Sequence, residues 1–178
     1  MENMMSMALP GLLLVAVVGY WLKRSARGRA ADQTPAIKEE ERDLFERVLR
    51  VADLPKQARL RDASRWSSVE PGAVLMREDQ QSPPLIYIAK GAVSIERGGA
   101  QIGTCKAGEF VGEMSLISGD RASATVVVAE PARIAMFDRD ELVLLSDKDH
   151  ALARLLDGAF NRGLAAKVKR MNSERAAD

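Results

Sequence analysis

The segment FVGEMSLISGDRASATV, residues 110–126, contains in order the parts expected of a site that binds a phosphate group. A Gly-Glu pair at positions 112 and 113 precedes a short apolar turn, and Gly119, Arg121 and a run of small residues follow. Backbone N–H groups at the start of a helix bind oxyanions, and the Gly112–Leu116 stretch is placed to supply them. A nearby arginine can bind the same oxygens through its planar guanidinium. The segment therefore predicts an anion-binding loop.

Short apolar runs separated by glycine and proline surround this loop, and such runs are typical of β-strands. The predicted strands are Ala73–Met76, Leu85–Ala89, Ala92–Arg97, Gln101–Cys105, and the runs ATVVVA and ARIAMFD, which turn at Glu130-Pro131. Gly91, the Gly98-Gly99 pair and Gly108 are predicted to lie in turns. Many short strands joined by close turns indicate a barrel or jelly roll. We expect a mainly β fold with flanking helices.

Helical patterns lie on both sides of the strands. Apolar residues recur at helical spacing from Ile37, and we expect that helix to end at Pro55, with a second short turn over Lys56–Ala63. After the strands, Asp138 and Glu141 form a capping pattern for one helix. A longer helix is predicted from about Asp149, and its apolar stripe comprises Leu152, Leu155, Leu156, Phe160, Leu164 and Val168.

An uncharged run, Met5–Leu22, precedes these elements. As a helix it would span about 27 Å, close to the roughly 30 Å hydrocarbon core of a bilayer. The basic residues Lys23, Arg24, Arg27 and Arg29 follow it, and the positive-inside rule places that flank in the cytoplasm. A cleaved signal peptide is the alternative, but the first five residues contain no Lys or Arg, and no Ala-x-Ala site follows.

These patterns predict a protein of the inner (cytoplasmic) membrane that spans it once, with its C-terminal domain in the cytoplasm. The predicted organisation is an anchor with its basic flank at residues 1–29, a linker at 30–36, a domain at 37–172 and a tail at 173–178.

The composition excludes several functional classes. The 26 basic and 25 acidic residues give a net charge of +1, which argues against a nucleic-acid partner bound through bulk charge. Cys105 is the one cysteine and His150 the one histidine, so neither an internal disulfide nor a histidine-based metal centre is expected. No metal is therefore expected, and any enzyme would have to work without histidine pairs. We also predict no cofactor and no catalytic residues, and the chain is predicted not to be an enzyme.

Taken together, these features resemble the cyclic nucleotide-binding domain family over about residues 43–160. The residues that carry the resemblance are EPGAVLMRED at 70–79, LIYIAKGAVSI at 85–95, AGEFVGEMSLISGDRASATVVVA at 107–129 and ARIAMFDRDELVLL at 132–145. A membrane segment directly before such a domain is also similar to Popeye-type proteins, although those usually carry several spans.

The resemblance implies cAMP or cGMP as the ligand, with the Glu113 carboxylate accepting a hydrogen bond from the ribose 2′-hydroxyl. In the phosphate-binding cassette of the family, which corresponds to residues 110–126 here, it also implies an arginine three residues before the threonine. Thr125 places that position at Ala122, and Arg121 stands where the family usually has proline. The predicted ligand-binding residues are Gly112, Glu113, Met114, Ser115, Leu116, Arg121, Ala122, Ser123 and Thr125.

Two interpretations of the displaced arginine remain open. In the first, the loop has lost its anion clamp, and the domain is a regulatory or accessory module with weak or lost nucleotide binding. In the second, the loop bends so that Arg121 still reaches the phosphate, and the domain is a functional sensor that signals to a membrane partner. In both, the expected partner is a membrane protein or a second copy of the chain.

Overall fold

The computed structural model of the chain describes residues 35–175. Residues from Glu39 onward belong to one compact unit. Between Pro35 and Arg175 no helix is both long enough and apolar enough to cross a membrane. The predicted anchor, Met5–Leu22, lies outside the described residues.

Helices flank a set of eight strands in this part of the chain. The helices are α1 (Pro35–Arg42), a π-helical turn (Asp43–Val48), α2 (Leu54–Asp62), α3 (Glu113–Ser118), α4 (Arg139–Lys148) and α5 (His150–Arg175). The strands are β1 (Ser64–Val69), β2 (Val74–Met76), β3 (Leu85–Lys90), β4 (Ala92–Arg97), β5 (Ala100–Lys106), β6 (Phe110–Val111), β7 (Thr125–Val128) and β8 (Ala132–Phe137).

The strands form two four-stranded antiparallel sheets. One sheet has the order β1-β8-β3-β6 and the other the order β2-β7-β4-β5. Apolar residues from both sheets pack into one core cluster, which includes Ile86 and Ile88 from the first sheet and Val93 and Val126 from the second. The mainly β fold with flanking helices predicted from the sequence is confirmed.

Strand β3 is buried on both faces, which explains its continuous apolar sequence LIYI. Ile86 and Ile88 point into the core between the sheets. Leu85 and Tyr87 point the other way, into a second cluster that the helices cover. Tyr87 also donates a hydrogen bond to the Asp43 carboxylate at 3.2 Å, which ties this face of the sheet to the π-helical turn.

The N-terminal helical region differs from the prediction around Pro55. The first helical stretch ends at Val48, and Pro55 lies in the first turn of α2. A proline fits that position because its missing N–H would have no partner there and its fixed φ suits a helix. The Asp53 carboxylate accepts a hydrogen bond from the Lys56 N–H at 2.9 Å and caps α2. Pro55 therefore starts a helix and does not end one.

The C-terminal helices follow the predicted pattern more closely. The Asp138 carboxylate caps α4 by accepting hydrogen bonds from the N–H groups of Asp140 and Glu141, at 2.9 and 3.1 Å. In α5, the first half of the apolar stripe packs against the helix-covered face of the sheet, with Leu152 and Phe160 buried. The second half ends at Val168, which is 57% exposed.

The sequence missed two strands, β1 and β6. Strand β1 reads SRWSSV and has no clear apolar alternation; it pairs with β8 along its whole length. Strand β6 contains only Phe110 and Val111, and both are buried against β3.

The turn between β3 and β4 depends on Gly91. Gly91 has φ +81, and a Cβ there would lie 2.4 Å from the Pro131 carbonyl oxygen. Gly99 also has a positive φ, +80, but a Cβ there would meet nothing within 4 Å. We expect Gly99→Ala to lower the free energy of unfolding by about 1–2 kcal/mol, the strain of the left-handed conformation alone. Gly91→Ala should lower it by more, since backbone atoms must also move; equal losses in denaturant titrations would contradict this.

Candidate functional site

The site is built where β6 ends and α3 begins. Gly112 joins the two elements with φ +88, and a Cβ there would lie 2.3 Å from the Pro84 carbonyl oxygen. Only glycine fits both constraints. The next residue, Glu113, opens α3 and turns inward: it is 4% exposed, although it carries a carboxylate.

The buried carboxylate of Glu113 is paired with a lysine from α5. The Lys167 ammonium lies 2.5 Å from Glu113 Oε1 and also donates a hydrogen bond to the Phe110 carbonyl oxygen. One turn further on, the Arg170 guanidinium donates to the Thr104 carbonyl oxygen at 2.9 Å and to the Glu109 carboxylate at 3.1 Å. The C-terminal half of α5 is therefore fastened over α3 and β5 by two charged side chains.

A cavity of about 400 Å³ lies beneath this part of α5. Most of its lining is apolar. The apolar residues are Met76, Ile95, Ile102 and Val126 from the second sheet, Val111 from β6, Ala124 from the loop before β7, and Leu164 and Val168 from α5. The cationic side chains that line it are Lys167 and Arg170, and both are already paired with carboxylates. Among the described residues, the cavity thus offers space but no cation without a partner.

The structure brings only part of the predicted site together. The cavity lining includes Gly112, Glu113, Met114, Ser115 and Ser123. The other four predicted residues, Leu116, Arg121, Ala122 and Thr125, do not line it.

Leu116 and Thr125 serve the framework around the cavity. Leu116 is half-buried and packs against the helix-covered core. Thr125 Oγ1 accepts a hydrogen bond from the Glu78 N–H at 3.0 Å and so joins the start of β7 to the segment after β2.

The loop between α3 and β7 turns Arg121 away from the cavity. The neighbouring Ala122 is 2% exposed; its N–H donates to the Gln80 carbonyl at 2.9 Å, and its own carbonyl accepts from the Asp79 N–H at 2.8 Å. These two bonds fix the loop against residues 79–80. Arg121 is exposed and donates from Nη1 to the Asp79 carbonyl oxygen at 3.1 Å.

Sequence reasoning missed Lys167 and Arg170. Both lie on the predicted long helix, next to the stripe residues Leu164 and Val168, but no local pattern separates them from solvated helix residues. Their partners, Glu113 and Glu109, lie 54 and 61 positions away in the sequence. Only the contacts that their long side chains make with these distant residues identify them.

Cys105 also lines the cavity and offers no metal site. Burial raises the pKa of its thiol to about 11, so the thiol is protonated and unreactive at neutral pH. Among residues 35–175, no group of three or more His, Cys, Asp or Glu side chains is placed to hold a metal ion.

The buried thiol provides a measure of how firmly α5 closes the cavity. Lys167→Met removes the bonds to Glu113 and Phe110, so α5 should lift more often and Cys105 should react faster with a thiol reagent at pH 8. Because Cys105 is the one cysteine of the sequence, the rate reports this position alone. Lys169→Met, two residues along on the exposed side of α5, is the matched control and should leave the rate unchanged. Equal rates in the two variants would show that the Lys167 contacts do not hold the helix.

Comparison with known proteins identifies this arrangement. Residues 66–149 match the family model of the cyclic nucleotide-binding domain. No curated protein sequence matches the chain.

Solved structures support the same fold. A cyclic nucleotide-binding domain from Methylobacillus flagellatus KT is 22% identical with a TM-score of 0.64, over 76% of this chain and 82% of that one. A candidate cyclic nucleotide-binding protein from Geobacter metallireducens GS-15 is 18% identical with a TM-score of 0.63, over 68% and 92%. The c-di-GMP-responsive global regulator CLP from Xanthomonas campestris is 21% identical with a TM-score of 0.57, over 70% and 63%.

At these identities the solved structures show a shared fold, and the family model matches residues 66–149 by sequence. Residues 66–149 of the chain therefore form a cyclic nucleotide-binding domain.

Proposed function

We propose that the chain is a membrane-anchored regulatory or accessory protein whose cyclic nucleotide-binding domain binds cAMP or cGMP weakly or not at all. It has no catalytic activity of its own and no nucleic-acid partner. The observation that carries this proposal is the pairing of Lys167 with Glu113 inside the cavity. In the family that glutamate accepts a bond from the ribose; here a lysine of the same chain holds it.

The position of Arg121 supports the same proposal. Its guanidinium bonds to the Asp79 carbonyl oxygen outside the cavity, and Ala122 occupies the position of the family's arginine. Truncating one partner of a buried, hydrogen-bonded charge pair costs about 2–5 kcal/mol. That loss corresponds to roughly a 30- to several-thousand-fold weaker affinity. A micromolar ligand would then bind in the millimolar range.

The alternative is a functional cAMP or cGMP sensor that signals to a membrane partner. The observation that favours it is the retained cavity of about 400 Å³ beside an intact Gly112-Glu113 turn. In this alternative, binding requires Lys167 to leave Glu113, so the ligand would loosen the C-terminal half of α5.

A titration of the full-length chain in mild detergent with both cyclic nucleotides distinguishes the two. We expect dissociation constants above about 100 μM, under roughly 5.5 kcal/mol of binding free energy. Ser123→Arg places a guanidinium at an exposed position that lines the cavity, and it should tighten binding at least tenfold. Ser123→Gln adds similar length without charge and should not. Low-micromolar binding by the unmodified chain would establish the sensor instead.

The proposed anchor is residues 5–22, in an arrangement similar to that of Popeye-type proteins but with a single span, placing the domain on the cytoplasmic side of the inner membrane. The four basic residues after this run support the orientation. A reporter that is active only outside the cytoplasm, fused to Asp178, should give no signal. A strong signal would show that the domain lies on the other side of the membrane. Recovery of a soluble mature chain that starts near Ala26–Ala31 would show that the segment is cleaved and is not an anchor.

We also propose that the domain acts through contact with a membrane protein or a second copy of itself. The 57% exposure of Val168, at the end of the apolar stripe of α5, supports such a contact. Mass measurement of the detergent-solubilised chain tests it, and a lone monomer without a co-purifying protein argues against it.

A further inference from the structure

A second groove lies on the outer side of the loop that connects α3 with β7. Its volume is about 600 Å³, and it shares only Ser123 with the cavity beneath α5. Two arginines line it: Arg121 from the loop and Arg139 from the first position of α4. Neither forms an ion pair with any carboxylate of residues 35–175.

Both guanidinium groups have hydrogen-bond donors to spare. Arg139 donates from Nη1 to Ser82 Oγ at 3.4 Å, while its Nε is buried and has no hydrogen-bond partner among the described residues. Arg121 bonds to a backbone carbonyl through one nitrogen. A guanidinium carries five N–H donors, so each of the two arginines keeps terminal donors beyond the one bond described for it. The neighbouring Asp138 caps α4 through Oδ1 and forms no ion pair with Arg139.

Two residues that line the groove have an uncommon backbone conformation. Asp79 and Ser82, which both line the groove, have φ values of +61 and +48. Residues other than glycine rarely adopt positive φ, and such strained positions concentrate at functional sites. The conformation presents Ser82 Oγ to Arg139 and the Asp79 carbonyl oxygen to Arg121.

The charges that line the groove indicate the kind of anion that fits. Two guanidinium groups from separate elements can bind a tetrahedral phosphoryl group from two directions, whereas a planar carboxylate is matched by one guanidinium fork. The carboxylates of Asp79 and Asp120 also line the groove, so its formal charge is balanced and a polyanion is disfavoured. We propose that this groove binds a single phosphoryl group, either inorganic phosphate or a small phosphomonoester.

This site is separate from the proposed function. Arg139 does not line the cavity beneath α5, so its replacement leaves Glu113 and Lys167 untouched. A chain that binds cAMP tightly can still bind phosphate here, and a chain that binds no cyclic nucleotide can do so as well. The two proposals therefore fail independently.

The test measures the affinity of the full-length chain, in detergent and phosphate-free buffer, for inorganic phosphate and for glycerol 3-phosphate by calorimetry. We expect saturable binding of phosphate with a dissociation constant below about 1 mM. Arg139→Gln and Arg121→Gln should each weaken it at least tenfold. Arg154→Gln, the same substitution at an exposed position of α5 that lines neither space, should leave it unchanged. Tighter binding of glycerol 3-phosphate than of inorganic phosphate would identify an ester as the preferred form.

Three results would overturn the proposal: no saturable phosphate binding, equal affinity in Arg121→Gln and Arg154→Gln, or acetate binding as tightly as phosphate. Thermal unfolding confirms that each variant is folded. Because Arg121 lies on an exposed loop, its variant provides the decisive measurement if Arg139→Gln does not fold.

Discussion

The site depends on one constraint: a carboxylate that is 4% exposed must have a partner. A buried carboxylate without a counter-charge would cost several kcal/mol, so Glu113 requires a cation from some source. In this chain the cation is Lys167, which is itself only 14% exposed, and its ammonium also reaches the Phe110 carbonyl oxygen. Since Lys167 lies near the end of a 26-residue helix, satisfying this one carboxylate fixes where α5 crosses the cavity. The covered cavity and the exposed position of Val168 follow from that crossing.

Arg121 illustrates how a shift of one position along the loop changes the role of a residue. In the loop after α3, Ala122 is buried while Arg121 and Ser123 are exposed. Arg121 lines the outer groove together with Arg139, so this loop supplies no cation to the cavity. The backbone pairing of Ala122 with residues 79–80 holds the loop in this register.

Local patterns predicted much of this fold, and long-range contacts account for what they missed. Turn residues such as Gly91 and the apolar run of β3 set most of the strands within a residue or two of their observed ends, because both signals act over a few positions. Strand β1 was not predicted because its stability comes from pairing with β8, some 65 residues away, and not from its own apolar pattern. The same holds for the site. The Gly112-Glu113 turn was visible in the sequence, whereas the partner of Glu113 depends on the packing of a distant helix.

Stability alone does not explain why Glu113 and Lys167 are both present. Replacing a buried ion pair by well-packed apolar residues is often neutral or stabilising, so the pair contributes little that Leu or Met could not. A buried carboxylate and a buried ammonium each need the other as a partner, which restricts where the helix can lie, whereas an apolar stripe can slide by a turn. The first half of the apolar stripe of α5 is fixed by packing around Phe160. Beyond Gly163 the stripe contains only Leu164 and Val168, and Val168 is exposed. We infer that the ion pair specifies the register of this last section of α5, so that a ligand in the cavity that needs either charge must compete with the pair.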